Sequence, residues 1–150
     1  MTKLHSFFSL FILVVASLFS GCGGNARITG QVKFDDGTPL TIGEVIFESN
    51  TVQARGPIDT AGKYTMGTIK DGDGVPPGQY RVYVSGAVEP TGKQLPYYPG
   101  GEPMPTDTPT TYPEMRSLID VKHTQSITSG LTCDVTGSQK FDITVSKPSN

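Results

Sequence analysis

The chain has 150 residues, with 12 Lys and Arg against 14 Asp and Glu and a formal net charge of −2. That mild acidity argues against a nucleic-acid partner, which favours a basic patch, and the length suits one domain with one core. Gly 18 and Pro 12 make the chain rich in turns, and only two Cys are present, which excludes a disulfide-dense scaffold.

Lys3 and His5 precede an apolar run from Phe7 to Phe19, broken only by Ser9 and Ser17. At about 13 residues the run is too short to cross a bilayer, which takes roughly 20. It fits the apolar region of a signal peptide. Leu18-Phe19-Ser20-Gly21-Cys22 follows, with small residues at the two positions before the Cys. This segment resembles a bacterial type II (lipoprotein) signal peptide. The resemblance implies cleavage between Gly21 and Cys22, loss of residues 1–21, and lipidation of Cys22 on its sulfur and freed amine. Acylated Cys22 is then the contact with a lipid bilayer. No Asp follows Cys22, and by analogy with other lipoproteins the chain is expected in the cell envelope, at the outer membrane or cell surface.

Residues 22–26 read as a short tether and 27–150 as the folded domain. Within that domain Ile28, Gly30, Val32 and Phe34 alternate with Arg27, Thr29, Gln31 and Lys33, the period of a strand with one buried face. Asp35-Asp36-Gly37-Thr38-Pro39 is a turn. Gly43 to Ser49 is the next strand, with Val45 and Phe47 on one face, and Thr51 to Ile58 a third. After the turn Thr60-Ala61-Gly62, a strand over Lys63 to Thr68 points Tyr64 and Met66 inward. Val75-Pro76-Pro77-Gly78 stops the chain before a strand in which Tyr80, Val82 and Val84 alternate with polar residues.

Residues 89–117 carry Pro90, Pro96, Pro99, Pro103, Pro105, Pro109 and Pro113. Proline removes a backbone donor and fixes φ, so this stretch is expected to be a long, partly polyproline-like surface loop. Alternation returns at Leu131, Cys133 and Val135, and again at Phe141, Ile143 and Val145. With Gly137-Ser138 between them, the two runs are expected to pair as a hairpin. No amphipathic helix is evident, and the pattern predicts an all-β, antiparallel sandwich of six or seven strands.

Three blocks then carry a resemblance. Residues 28–47 (ITGQVKFDDGTPL, then GEVIF), 59–64 (DTAGKY) and 75–84 (VPPGQYRVYV) resemble, in order, the opening strands of carboxypeptidase regulatory-like domains. The segments 128–135 and 140–145 resemble the end of small bacterial lipoproteins built from one such domain. The resemblance implies a transthyretin-like (prealbumin-like), Ig-like sandwich of about seven strands. It implies no activity, because the zinc peptidase that accompanies such domains is absent from the sequence. The several His and the C-terminal Tyr-Arg motif of the transthyretin-like hydrolases are absent too.

Candidate chemistry is sparse. Asp35-Asp36-Gly37 and Asp71-Gly72-Asp73-Gly74 lack the full ligand pattern of a Ca²⁺ loop and read as turns. His123 has no Cys or His near it in sequence and reads as a surface or loop residue. Cys133, in phase with Leu131 and Val135, reads as a small buried hydrophobe. No catalytic residue, metal ligand or cofactor is assigned. Tyr97, Tyr98 and Tyr112 lie in the Pro-rich stretch, which is the candidate binding loop, since function concentrates on loops held by a rigid scaffold. The expected function is that of a membrane-anchored, non-catalytic envelope module for structure or adhesion, with an envelope protein or glycan as partner. The alternative is a ligand- or glycan-binding subunit of a transport or assembly system.

Overall fold

A computed structural model describes residues 24–96 and 111–149. The domain is mostly β. Ten strands occur among the described residues: β1 (Ile28–Phe34), β2 (Glu44–Glu48), β3 (Gln53–Pro57), β4 (Lys63–Thr65), β5 (Gly78–Ser85), β6 (Val88–Pro96), β7 (Thr111–Ser117), β8 (Leu131–Val135), β9 (Gln139–Lys140) and β10 (Ile143–Val145). Among the described residues one 3₁₀ turn, Val121–Thr124, precedes β8.

One sheet has the order β3-β2-β5-β8, all antiparallel. In the other, β1 pairs antiparallel with β4 on one side and parallel with β9 and β10 on the other. Both sheets contribute to one core. Ile28, Val32, Tyr64, Ile143 and Val145 come from the second sheet; Val45, Phe47, Tyr80, Val82, Val84, Cys133 and Val135 come from the first. The period-2 alternation in the sequence therefore does place one face of β1, β2, β4, β5, β8 and β10 in the core. Phe47 is fully buried and links the layers: its ring lies 5.9 Å from Tyr80 and meets Phe141 edge-on at 5.7 Å. A backbone bridge between Arg55 and Gly67, with two bonds of 2.8 Å, stitches β3 to the chain just after β4.

The expected C-terminal hairpin does not form. β8 pairs with β5 in one sheet, whereas β9 and β10 pair with β1 in the other. The strand count also exceeds seven, partly because the run after Gly137 breaks into two pieces at Phe141-Asp142. The break has a local cause. Phe141 donates its N–H to Thr29 O at 2.8 Å, and its carbonyl accepts from the Tyr64 hydroxyl at 2.5 Å. The Asp142 carboxylate then takes the Gln31 N–H at 3.0 Å, where a strand partner would have offered a carbonyl. This crossover rides directly over Gly30: a Cβ there would sit 1.9 Å from Phe141 O. Only glycine leaves room for it.

Residues 89–117 also differ from the expected loop. Their described parts form a two-stranded antiparallel ribbon, β6 with β7, interrupted by a bulge between Pro90 and Gln94. Proline is compatible with this because each strand of a lone ribbon has an unpaired edge, and a residue without an N–H fits where that group would point outward.

Strand directions give the body two ends. Ala26, the β2–β3 turn (Ser49–Val52) and the loop 66–77 lie at one; the turn 35–39, the segment Gly86-Ala87 and Ser146 lie at the other. The ribbon begins and ends at this second end, where Leu118 N–H bonds Ala87 O and Asp120 N–H bonds Ser146 O, both at 2.9 Å.

Candidate functional site

Cys22 and Gly21, and with them the lipidation and cleavage sites, lie outside the described residues, as do Tyr97 and Tyr98. Asn25 and Ala26, among the first described residues after Cys22, are bonded to the domain. Ala26 is buried and makes a two-bond bridge to Val75, at 2.7 and 2.9 Å. The Asn25 amide donates to Asp73 O at 3.2 Å and to Thr68 Oγ1 at 3.5 Å. Gly74 (φ +88) passes so close that a Cβ would lie 2.7 Å from Ala26 O. The start of the domain is thus docked onto the loop 68–75.

That loop is organised by one carboxylate. Asp73 accepts N–H groups from Thr68 (2.6 Å), Ile69 (3.1 Å) and Lys70 (3.1 Å). These bonds favour the charged form and hold its pKa below the usual carboxylate range. Asp36 likewise bonds Lys147 (2.8 Å) and the N–H and hydroxyl of Thr38, and its pKa is also lowered, first through Lys147. Both acidic turns act as internal caps on the backbone, the role that Asp commonly takes in turns. Among the described residues no group of three or more His, Cys, Asp or Glu side chains converges as a metal site would require.

Beside the same end lies an open groove of about 950 Å³ on the outer side of the β2-β5-β8 sheet, lined by Glu48, Asn50, Gln79, Arg81, Thr132 and Asp134, among others. Arg81 lies opposite Glu48 and Thr132 in the register.

At the far end Tyr112 is on β7, half exposed and paired across the ribbon with Leu95. Arg116 donates to Glu89 at 2.7 Å, and the Thr91 hydroxyl donates to Glu114 at 2.7 Å. The ribbon thus carries an ordered polar face with Tyr112 set into it, since residues 112, 114 and 116 alternate to one side.

His123 is not a surface residue. It is 8% exposed, and its Nε2 accepts the Ser146 N–H at 3.1 Å, with the Ser146 hydroxyl also 3.1 Å away. A backbone N–H can only donate, so Nε2 is unprotonated and the proton of the neutral ring sits on Nδ1. That Nδ1 is buried and finds no partner among the described residues. Burial, first, and Lys122 beside it push the imidazole pKa down. The ring clips the 3₁₀ turn to the end of β10. Its lone position in the sequence hid this, because the partner is backbone 23 residues later. Cys133 is buried as expected, and burial raises its thiol pKa, which makes it a poor nucleophile.

No family model matches the chain, and no curated protein or solved structure is significantly similar to it.

Proposed function

We propose that the chain is a lipid-anchored, non-catalytic module of the bacterial cell envelope. Its two sheets form a transthyretin-like sandwich of the carboxypeptidase regulatory-like kind, and its Pro-rich ribbon is the surface that meets a partner protein or glycan. One observation carries the reading: the chain enters the domain at the end opposite the ribbon's roots. An acyl group on Cys22, three residues before the docked Asn25, therefore holds one end at the bilayer. The ribbon leaves from the other end, on the side where an interaction partner has access. Among the described residues the buried His123 bonds the backbone of Ser146 and the buried Cys133 packs in the core.

Two measurements test this. Mass spectrometry of the mature N-terminus is expected to find an acylated Cys22, and Cys22→Ser is expected to move the protein from the membrane to the soluble fraction. An unmodified N-terminus elsewhere overturns the anchor. Affinity capture from envelope extracts, with residues 89–116 intact or replaced by a short turn, is expected to lose partners in the second case. Identical recoveries overturn the ribbon as the interaction surface.

A second reading rests on the groove beside Arg81. Its mixed polar lining suits a small soluble ligand, as in a binding subunit of a transport or assembly system. Arg81→Ala would then abolish binding while leaving ribbon-dependent capture unchanged.

A further inference from the structure

We propose that the loop 68–73 is a second contact with the membrane, with Ile69 as an apolar wedge in the lipid headgroup region. This rests on the lipid-anchor reading of Cys22 and adds a side chain to it. Ile69 is the most exposed large hydrophobic residue described, at 89%. A single exposed apolar side chain is ordinary on a protein surface, but the placement of this one is not. Asn25 bonds Thr68, the residue before Ile69, and also Asp73, at the loop's far end. From Cys22 to Asn25 there are three residue steps, which span at most about 11 Å when fully extended. The acylated sulfur and the Ile69 loop are therefore held on one short leash, and a bilayer that takes the lipid must lie close to the loop.

The loop is also preorganised. Asp73 fixes three successive N–H groups around Ile69, so presenting the side chain to lipid costs little further ordering. Both Asp73 oxygens are engaged in that cap, while Lys70 stands next to Ile69 as a cation for anionic headgroups. Asp71 is the opposing charge and keeps the contact shallow. Val121, at 71% exposed, is the internal control: it follows Asp120, which is bonded to Ser146 at the ribbon end.

The test uses the full lipidated protein in vesicles of phosphatidylethanolamine and phosphatidylglycerol. Ile69→Cys and Val121→Cys each receive an environment-sensitive fluorophore; Cys133 is buried and Cys22 is acylated, so labelling is selective. The Ile69 probe is expected to shift to the blue on vesicles and to be quenched by lipid-borne quenchers, and the Val121 probe is expected to do neither. In unlabelled protein, tryptic cleavage after Lys70 is expected to slow several-fold on vesicles, and Ile69→Ser to restore much of the lost rate. Mass spectrometry of the same preparation separates the two ideas. Acylated Cys22 with an Ile69 probe as wet as the Val121 probe overturns the wedge and leaves the anchor standing. A preparation without acyl chains overturns both.

Discussion

In β5 the side chains of Tyr80, Val82 and Val84 are shut away from water; β6 is one residue longer and buries none. Its partner β7 buries none either. Both regions pair through antiparallel ladders, the ribbon's with a bulge between Pro90 and Gln94, so the presence of hydrogen bonding does not separate them. What separates them is the second layer. The strands of the body lie against a core drawn from two sheets, whereas the described part of the ribbon buries no side chain and is joined by its ladder and a few polar pairs. A two-stranded ribbon alone is marginal in water. The comparison teaches that among the described residues the buried apolar side chains gather in one body, with a laddered but weakly held appendage at one end of it. Segments of that kind open locally at little cost and are where proteins place adaptable contacts.

The largest effects should therefore come from where the layers touch. Phe47→Ala removes the ring that contacts both Tyr80 and Phe141, and a cost of about 3–5 kcal/mol is expected. Denaturant unfolding of residues 22–150 measures it. A loss below about 1 kcal/mol would mean that the layers do not depend on this contact. Gly30→Ala comes next, at roughly 3 kcal/mol, because its Cβ meets Phe141 O at 1.9 Å and the obstacle is backbone. The Tyr64 and Asp142 bonds to the crossover resist its displacement. An unchanged midpoint would show that the crossover slides freely.

These two positions also show what could be read from the sequence. Val45, Phe47, Tyr64, Met66, Tyr80, Val82 and Val84 were legible as core because each sits in an alternating run between turn residues, and all are buried. Pairing was less legible. Alternation says which face is inward and nothing about the neighbour, so β8 and β10 looked like a hairpin although they belong to different sheets. Gly30 read as one more small inward residue, since the crossing chain that demands it arrives from 111 positions later. The prolines misled for a different reason: they exclude a central strand, and a ribbon with two open edges has none. His123 was invisible because its partner is a backbone N–H.

An intermediate effect should come from His123, at the junction of body and ribbon roots. The folded state lowers its pKa, so below the ordinary value near 6.5 the unfolded chain binds the proton first. Stability is then complete above about pH 6.5 and falls as pH drops from there through the lowered folded value. Protonation makes Nε2 a donor facing the Ser146 N–H, which breaks the clip. Burial of the ring and Lys122 oppose the charge, while Asp120 and Asp35 favour it. Thermal melts between pH 7.5 and 5 are expected to show the decline, and His123→Gln to flatten it. The carboxylates with lowered pKa values, Asp36, Asp73, Asp120 and Asp142, lose their stabilisation only in more acid solution, so the two windows separate. A flat profile across pH 5–7.5 in the unsubstituted protein would show that the clip does not couple to stability.

The smallest effect on the fold is expected in the ribbon itself. Arg116→Ala removes the cross-strand pair with Glu89, whose two side chains are 68% and 38% exposed. Exposed pairs of this kind contribute about 0–1 kcal/mol, and even that acts on the ribbon rather than on the body it leaves. The unfolding midpoint of the body should stay in place, while amide exchange in Val88–Pro96 and Thr111–Ser117 should quicken. If the midpoint falls together with the exchange protection, ribbon and body unfold as one unit, and the contrast in burial between β5 and β6 would not mark a boundary in cooperativity. If only the ribbon responds, a partner that binds the Tyr112 face must order it on contact, and Arg116→Ala should then weaken capture of that partner without changing the stability of the domain.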